Sequence, residues 1–213
     1  DLVIALGPEG DASGIDDGLG GTDNLESIEN IVGGRGNDSL TGNSVGNRLE
    51  GGAGDDTLTG GGGEDVLRGG LGDDLFRVDE GQDTILDLGL GQDRIELAAG
   101  ASAQAVLKND WTADAGSLVE GDLEIQTDGY DLDLSEIRVG ASGGVVATNA
   151  GNTTGVSITG SEARDTLTGG GGDDTITGSE SDLLSGGTGN DVLIDTTELY
   201  RWTPSELPGL RLW

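Results

Sequence analysis

The chain contains no cysteine, no histidine and no methionine. Without cysteine there is no disulfide framework and no thiolate metal site. Without histidine the commonest general base and transition-metal ligand is missing. Oxygen donors remain, and carboxylate and carbonyl oxygens suit hard divalent cations. Basic residues are scarce: ten Lys and Arg stand against 41 Asp and Glu, a net charge of −31. Nucleic acid is excluded as a partner, because its phosphates would be repelled. No apolar run reaches 18 residues, so no membrane span is expected. Large apolar residues are few as well, with 51 Leu, Ile, Val and Phe in 213. Low hydrophobicity with high net charge is close to the composition of disordered chains. The absence of methionine, an initiator included, leads us to expect a piece of a longer protein.

What is abundant is glycine, 43 residues, and it is periodic. Ile31, Leu40, Leu49, Leu58, Leu67, Phe76 and Ile85 recur every nine residues, and Ile95 follows after ten. Asp38, Asp56, Asp65, Asp74 and Asp83 each stand two residues before one of them, as does Asp93; Asn47 replaces one Asp. GGRGNDSLT (33–41), GGAGDDTLT (51–59), GGGGEDVLR (60–68) and GGLGDDLFR (69–77) are near-perfect units. A second block contains GGGGDDTIT (169–177) and GGTGNDVLI (186–194), with a weaker GSEARDTLT (160–168) and an eight-residue GSESDLLS (178–185). A flexible acidic linker has no need of an apolar residue at every ninth position, so the period argues for an ordered repeat.

Helix is disfavoured, because each interior Gly costs about 1 kcal/mol against Ala. Nine residues can instead hold a six-residue turn and a three-residue strand whose middle residue points inward. Two units then close one coil, and strands stack into two parallel sheets around a thin core. One unit cannot bury its apolar residue alone, so neighbours must stack. Gly at positions 1, 2 and 4 is expected to let the backbone take positive φ and aim its carbonyls at a central ion. The position-6 Asp adds a carboxylate. Two loops one coil apart can enclose one cation with about six oxygens, as calcium prefers.

The units match GGxGxDxUx, where U is a large apolar residue. On these residues the chain resembles the RTX, or haemolysin-type calcium-binding, family. The resemblance implies an all-β fold, a calcium-binding parallel β-roll. It also implies several calcium ions, each held by odd positions of one loop and even positions of the next loop but one. Carried onto this sequence, one set is Gly33, Arg35 and Asn37 with Gly52, Gly54 and Asp56. The next is Gly51, Ala53 and Asp55 with Gly70, Gly72 and Asp74. On the opposite edge Gly60, Gly62 and Glu64 face Gly81 and Asp83. In the second block Gly169, Gly171 and Asp173 face Gly187, Gly189 and Asp191. The same pattern makes ligand candidates of Asp38, Gly61, Gly63, Asp65, Gly69, Leu71, Asp73, Gly89, Gly91, Asp93, Asp165, Asp174 and Asp182. Sites that meet Asn47 or Val156 at position 6 are expected to be weak or empty.

We expect four segments: a first roll over 1–97, a β-rich insert over 98–150, a second roll over 151–197, and a distinct end, 198–213. TDNLESIENIVG (22–33) resembles the lead-in of such repeats, and DTILDLGLGQDRIEL (83–97) resembles a closing segment. Trp111 and Tyr130 are read as core packing. The end segment either caps the roll or begins a following domain, and its LPGLRLW resembles the opening strand of laminin-G-like modules. GASGG (140–144) fits G-x-S-x-G, but without His it has no triad base, and no enzyme is expected. The family resemblance implies a type I-secreted, bacterial surface protein, with this module as a folding unit and rigid spacer in an adhesin. Two other readings stay open. One is the C-terminal region of a secreted hydrolase, epimerase or toxin. The other is a calcium-dependent carbohydrate-binding module, with surface glycans or neighbouring domains as partners.

Overall fold

The computed structural model describes residues 3–6, 12–13, 24–25, 28–140, 144–179 and 181–196. Among these there is no helix. One parallel sheet of nine strands runs the length of the molecule: Asn30–Arg35, Arg48–Ala53, Val66–Leu71, Gln82–Leu88, Ser102–Leu107, Asp122–Gln126, Gly144–Thr148, Thr166–Gly171 and Leu183–Thr188. A second parallel sheet of seven strands backs its first part: Val3–Ala5, Ser39–Thr41, Thr57–Thr59, Leu75–Val78, Arg94–Leu97, Leu118–Val119 and Arg138–Val139. A third, of five, backs its last part: Trp111–Thr112, Leu132–Asp133, Ser157–Thr159, Thr175–Gly178 and Val192–Asp195. Ala12–Ser13 and Asn24–Leu25 form a separate two-stranded antiparallel sheet.

The nonapeptide rule explains the outer coils. Arg48 pairs with Val66 and Thr57 with Leu75, each 18 residues or two units along. The repeat apolar residues Leu40, Leu49, Leu58, Leu67, Phe76, Ile85 and Ile95 are fully buried, and so are Ile158, Leu167 and Ile176. The two faces differ in length. Strands of the seven-stranded sheet such as Thr57–Thr59 have the expected three residues, whereas Arg48–Ala53 continues through the Gly pair of the next unit.

Residues 98–140 depart from that rule without leaving the solenoid. Ser102 pairs with Asp122, an offset of 20, and Trp111 with Leu132, an offset of 21. The coil Ser102–Leu107, Trp111–Thr112, Leu118–Val119 contributes to all three sheets, as does Asp122–Gln126, Leu132–Asp133, Arg138–Val139. These two coils are three-sided, and across them the second sheet hands over to the third. The interior there is filled by more side chains per coil, Trp111 among them. Trp111 is 2% exposed and its indole N–H donates to the Asp93 carbonyl at 3.0 Å. Tyr130 packs against the core.

The expected two rolls with an insert are therefore one continuous sheet. The 83–97 segment does not end the roll: Gln82–Leu88 pairs onward with Ser102–Leu107, and Arg94–Leu97 with Leu118–Val119. The end segment 198–213, residues 141–143 of GASGG, and most of the 22–33 lead-in before Ile28 lie outside the described residues.

Candidate metal centres

Each outer coil turns at its edges through the Gly-rich loops, and successive loops stack in register. Gly34 pairs with Gly52 and Arg35 with Ala53; Gly52 pairs with Gly70 and Ala53 with Leu71; Gly170 pairs with Gly187. In the near-perfect units positions 2 and 4 hold positive φ, as at Gly52 (120°) and Gly54 (123°). Position 1 does not, which corrects the sequence expectation. Gly51, Gly69 and Gly169 keep negative-side backbone, but a Cβ there would collide with the carboxylate of Asp56, Asp74 or Asp174 in the same unit. Position 1 needs glycine for room, positions 2 and 4 for conformation.

The position-6 carboxylates turn inward and ladder the coils together. Asp56 Oδ1 accepts the Asp38 N–H at 2.8 Å, Asp74 Oδ1 accepts that of Asp56 at 2.9 Å, and Asp93 Oδ1 that of Asp74 at 3.0 Å. On the other edge Asp65 accepts from Asn47 and Asp83 from Asp65. In the second block Asp182 accepts from Asp165, Asp174 from Val156 and Asp191 from Asp174. All of Asp56, Asp65, Asp74, Asp83, Asp93, Asp165 and Asp174 are at most 3% exposed.

The second carboxylate oxygen divides these residues into two kinds. In Asp56, Asp65, Asp83 and Asp174, Oδ2 is buried with no hydrogen-bond donor. A buried carboxylate oxygen without a donor carries a desolvation cost of several kcal/mol unless a cation or proton meets it. In Asp93, by contrast, Oδ2 takes the Gly89 N–H at 2.8 Å. Asp165 Oδ2 takes the Ser161 N–H at 2.6 Å and its hydroxyl at 2.8 Å, and Asp182 Oδ2 takes the Ser179 N–H at 2.6 Å.

Electrostatics follow burial. Loss of solvent lifts Asp74 and Asp83 to about 7 and Asp93 to about 6, with neighbouring carboxylates adding to the rise. Asp56, Asp65 and Asp165 are raised for the same first cause. Fully charged, these residues need a positive partner. The donor set fits calcium: hard oxygens only, a carboxylate with an unmet buried oxygen, and stacked loops rich in carbonyls. Among the described residues no three acidic side chains converge on one point. A cation held here must therefore take backbone carbonyls as well.

The four expected sets are brought together as loops. Gly33, Arg35 and Asn37 stack on Gly52, Gly54 and Asp56, and Gly51, Ala53 and Asp55 on Gly70, Gly72 and Asp74. Gly81 and Asp83 stack on the Gly60–Asp65 loop, with the Gln82 N–H on Gly63 O at 3.1 Å. Gly169, Gly171 and Asp173 stack on Gly187, Gly189 and Asp191. Loop Gly69, Leu71, Asp73 also stacks on Gly89, Gly91, Asp93, but there the carboxylate is already satisfied.

Three features escaped the sequence reading. The exposed position-5 acids are not idle: Asp55 Oδ1 accepts the Asp73 N–H at 3.0 Å, and Asp73 Oδ1 the Gln92 N–H at 2.9 Å. The Asp–Asp or Asn–Asp doublets at positions 5 and 6 thus staple each coil to both neighbours. Asp87 stands where a position-1 Gly would be; it takes the N–H groups of Gly69 and Gly70 and pairs with Arg68 at 3.4 Å. Lastly, the other oxygen of Asp65 and of Asp174, Oδ1, takes the N–H of Asn47 and of Val156, the position-6 residues that follow loops 42–46 and 151–155. Those loops lack a carboxylate yet still present carbonyls.

A protein-family model described as RTX calcium-binding nonapeptide repeat (4 copies) matches residues 17–44, 41–76, 50–85, 59–95, 157–180 and 177–194, together more than half of the chain. Compared with curated proteins, the chain matches none.

Proposed function

The chain belongs to the RTX calcium-binding nonapeptide repeat family, and from that premise we propose that it is a calcium-triggered folding unit and rigid spacer within a secreted surface protein of the adhesin type. The observation that carries this reading is the set of buried carboxylate oxygens without donors at Asp56, Asp65, Asp83 and Asp174, each on a position-6 carboxylate that ladders to the coil before. Calcium, when bound, supplies positive charge to those carboxylates. The residues do the rest. Gly51 and Gly69 leave room for the inward carboxylates, the ladder of position-6 Oδ1 atoms fixes them on the coil before, and positive-φ glycines let adjacent loops approach.

Without the cation, the outer coils have one apolar residue per nine to offset chain entropy and several unmet buried charges against them. Unfolded in a calcium-poor cytosol and folded at extracellular calcium, such a segment can pass an export channel extended and then become stiff. A nine-stranded sheet at about 4.8 Å per strand spans roughly 40 Å, which suits a spacer. We assign no catalytic step.

The test is a calcium titration of metal-depleted protein followed by circular dichroism and calorimetry. We expect β signal to rise with calcium, with several ions bound. Full β content in excess chelator overturns the proposal.

A further inference from the structure

We propose that residues 95–140, the segment containing the three-sided coils, form a calcium-independent core of the solenoid, closed by the Asp93 and Asp165 loops and flanked by coils that need the cation. The inference rests on the calcium reading above and divides the molecule in a way that reading does not. Two stretches of 46 residues make the contrast. In 95–140, 14 apolar residues are buried; in 31–76, six are. The first stretch buries no carboxylate, and the second buries Asp38, Asp56, Asp65 and Asp74. Hydrophobic burial scales with apolar area and unmet charge opposes folding, so the two terms favour the same segment.

The turns of the centre also close with donors and acceptors of the chain itself. The Ser117 N–H reaches Asp114 O, the Tyr130 N–H reaches Thr127 O, and the Ile137 N–H reaches Leu134 O, all within 3.1 Å. Asp114 adds a bond from the Gly116 N–H at 2.8 Å and an ion pair with Arg94 at 2.6 Å. At the boundaries stand two of the carboxylates whose oxygens are both satisfied. Asp93 holds the Asp74 and Gly89 amides, and Asp165 holds those of Val145 and Ser161. The donorless oxygens of Asp56, Asp65, Asp83 and Asp174 all lie outside these two residues. A metal-free chain thus has a place to stop unfolding.

Hydrogen exchange by mass spectrometry on the full chain tests this, in calcium and in excess chelator. In chelator, peptides within 95–140 should exchange at least about tenfold more slowly than those of 31–76 and 169–195. In calcium all three should be protected. If the centre exchanges as fast as the flanks in chelator, the division fails and the calcium reading stands. If the flanks stay protected in chelator, the calcium reading itself fails and the division with it. A second readout uses a W202F/W213F double variant, which leaves Trp111 as the single tryptophan. Its emission should stay that of a buried indole, poorly quenched by acrylamide, in chelator. Exposure of Trp111 with the same calcium midpoint as the far-ultraviolet signal overturns the inference.

Discussion

At the scale of single residues, Asp56 has one oxygen on the Asp38 amide and one with no donor. Asp56→Asn keeps the acceptor and removes the charge. In calcium the variant should lose on the order of 1–3 kcal/mol of stability and one bound ion; in chelator it should be as stable as the parent or more so. Thermal melts and calorimetry in both conditions check this, and equal losses in both would contradict it. Protons act on the same oxygens. Asp74 and Asp83 rise from 3.8 to about 7 in the fold, and Asp93 to about 6. Between pH 4 and 7 the folded metal-free state therefore binds more protons than the unfolded chain. Its stability is fullest below about 3.8 and is lost as pH rises through 7. Metal-depleted protein should gain β signal as pH falls from 8 to 5, and its calcium affinity should fall over the same range. A flat circular-dichroism profile would count against both. The carboxylates and their period were legible in the sequence, because the spacing to the apolar residue fixes which way the Asp turns. Which carboxylates stay unmet was not legible. That depends on whether an amide four residues back, as at Gly89 or Ser161, points at the carboxylate.

Single strands of the outer coils contribute little each, and that makes them fragile. Thr57–Thr59 buries one apolar side chain, Leu58, which is fully enclosed between Leu40 and Phe76 of the paired strands. Leu58→Ala should cost about 2–4 kcal/mol in calcium, read as a shift of the urea midpoint. It should also raise the calcium needed for folding, because cation and core stabilise the same coils. These strands could be read from sequence because nine-residue spacing is a strong signal even for a three-residue element. Leu118–Val119 and Arg138–Val139 were legible only as parts of a β-rich insert, not as strands of the roll's own sheets. Two residues show no alternation, and offsets of 20 to 22 residues between paired strands carry no fixed motif. The segment 98–150 thus looked like an insert, although Ser102–Leu107 and Asp122–Gln126 continue the same sheet in register.

For the whole molecule, a net charge of −31 raises the question whether calcium acts by coordination or merely by neutralising repulsion. The two differ in what else can substitute. Repulsion between exposed charges is screened within about 3–10 Å by salt between 1 and 0.1 M, so sodium chloride would relieve it. Salt does not reach the donorless oxygens of Asp56, Asp65, Asp83 and Asp174, which are at most 2% exposed. Magnesium holds its waters and demands a tight octahedron, so it should fill these carbonyl-rich loops poorly. A fully unfolded chain of 213 residues has a radius of gyration of about 50 Å. Metal-depleted protein should fall below that, because its centre stays folded, and should contract further on adding calcium. Small-angle scattering should show 0.5 M sodium chloride or millimolar magnesium recovering only part of that contraction. If either restores the full calcium value, the inward carboxylates act as bulk charge, and the stacked loops are not the binding sites.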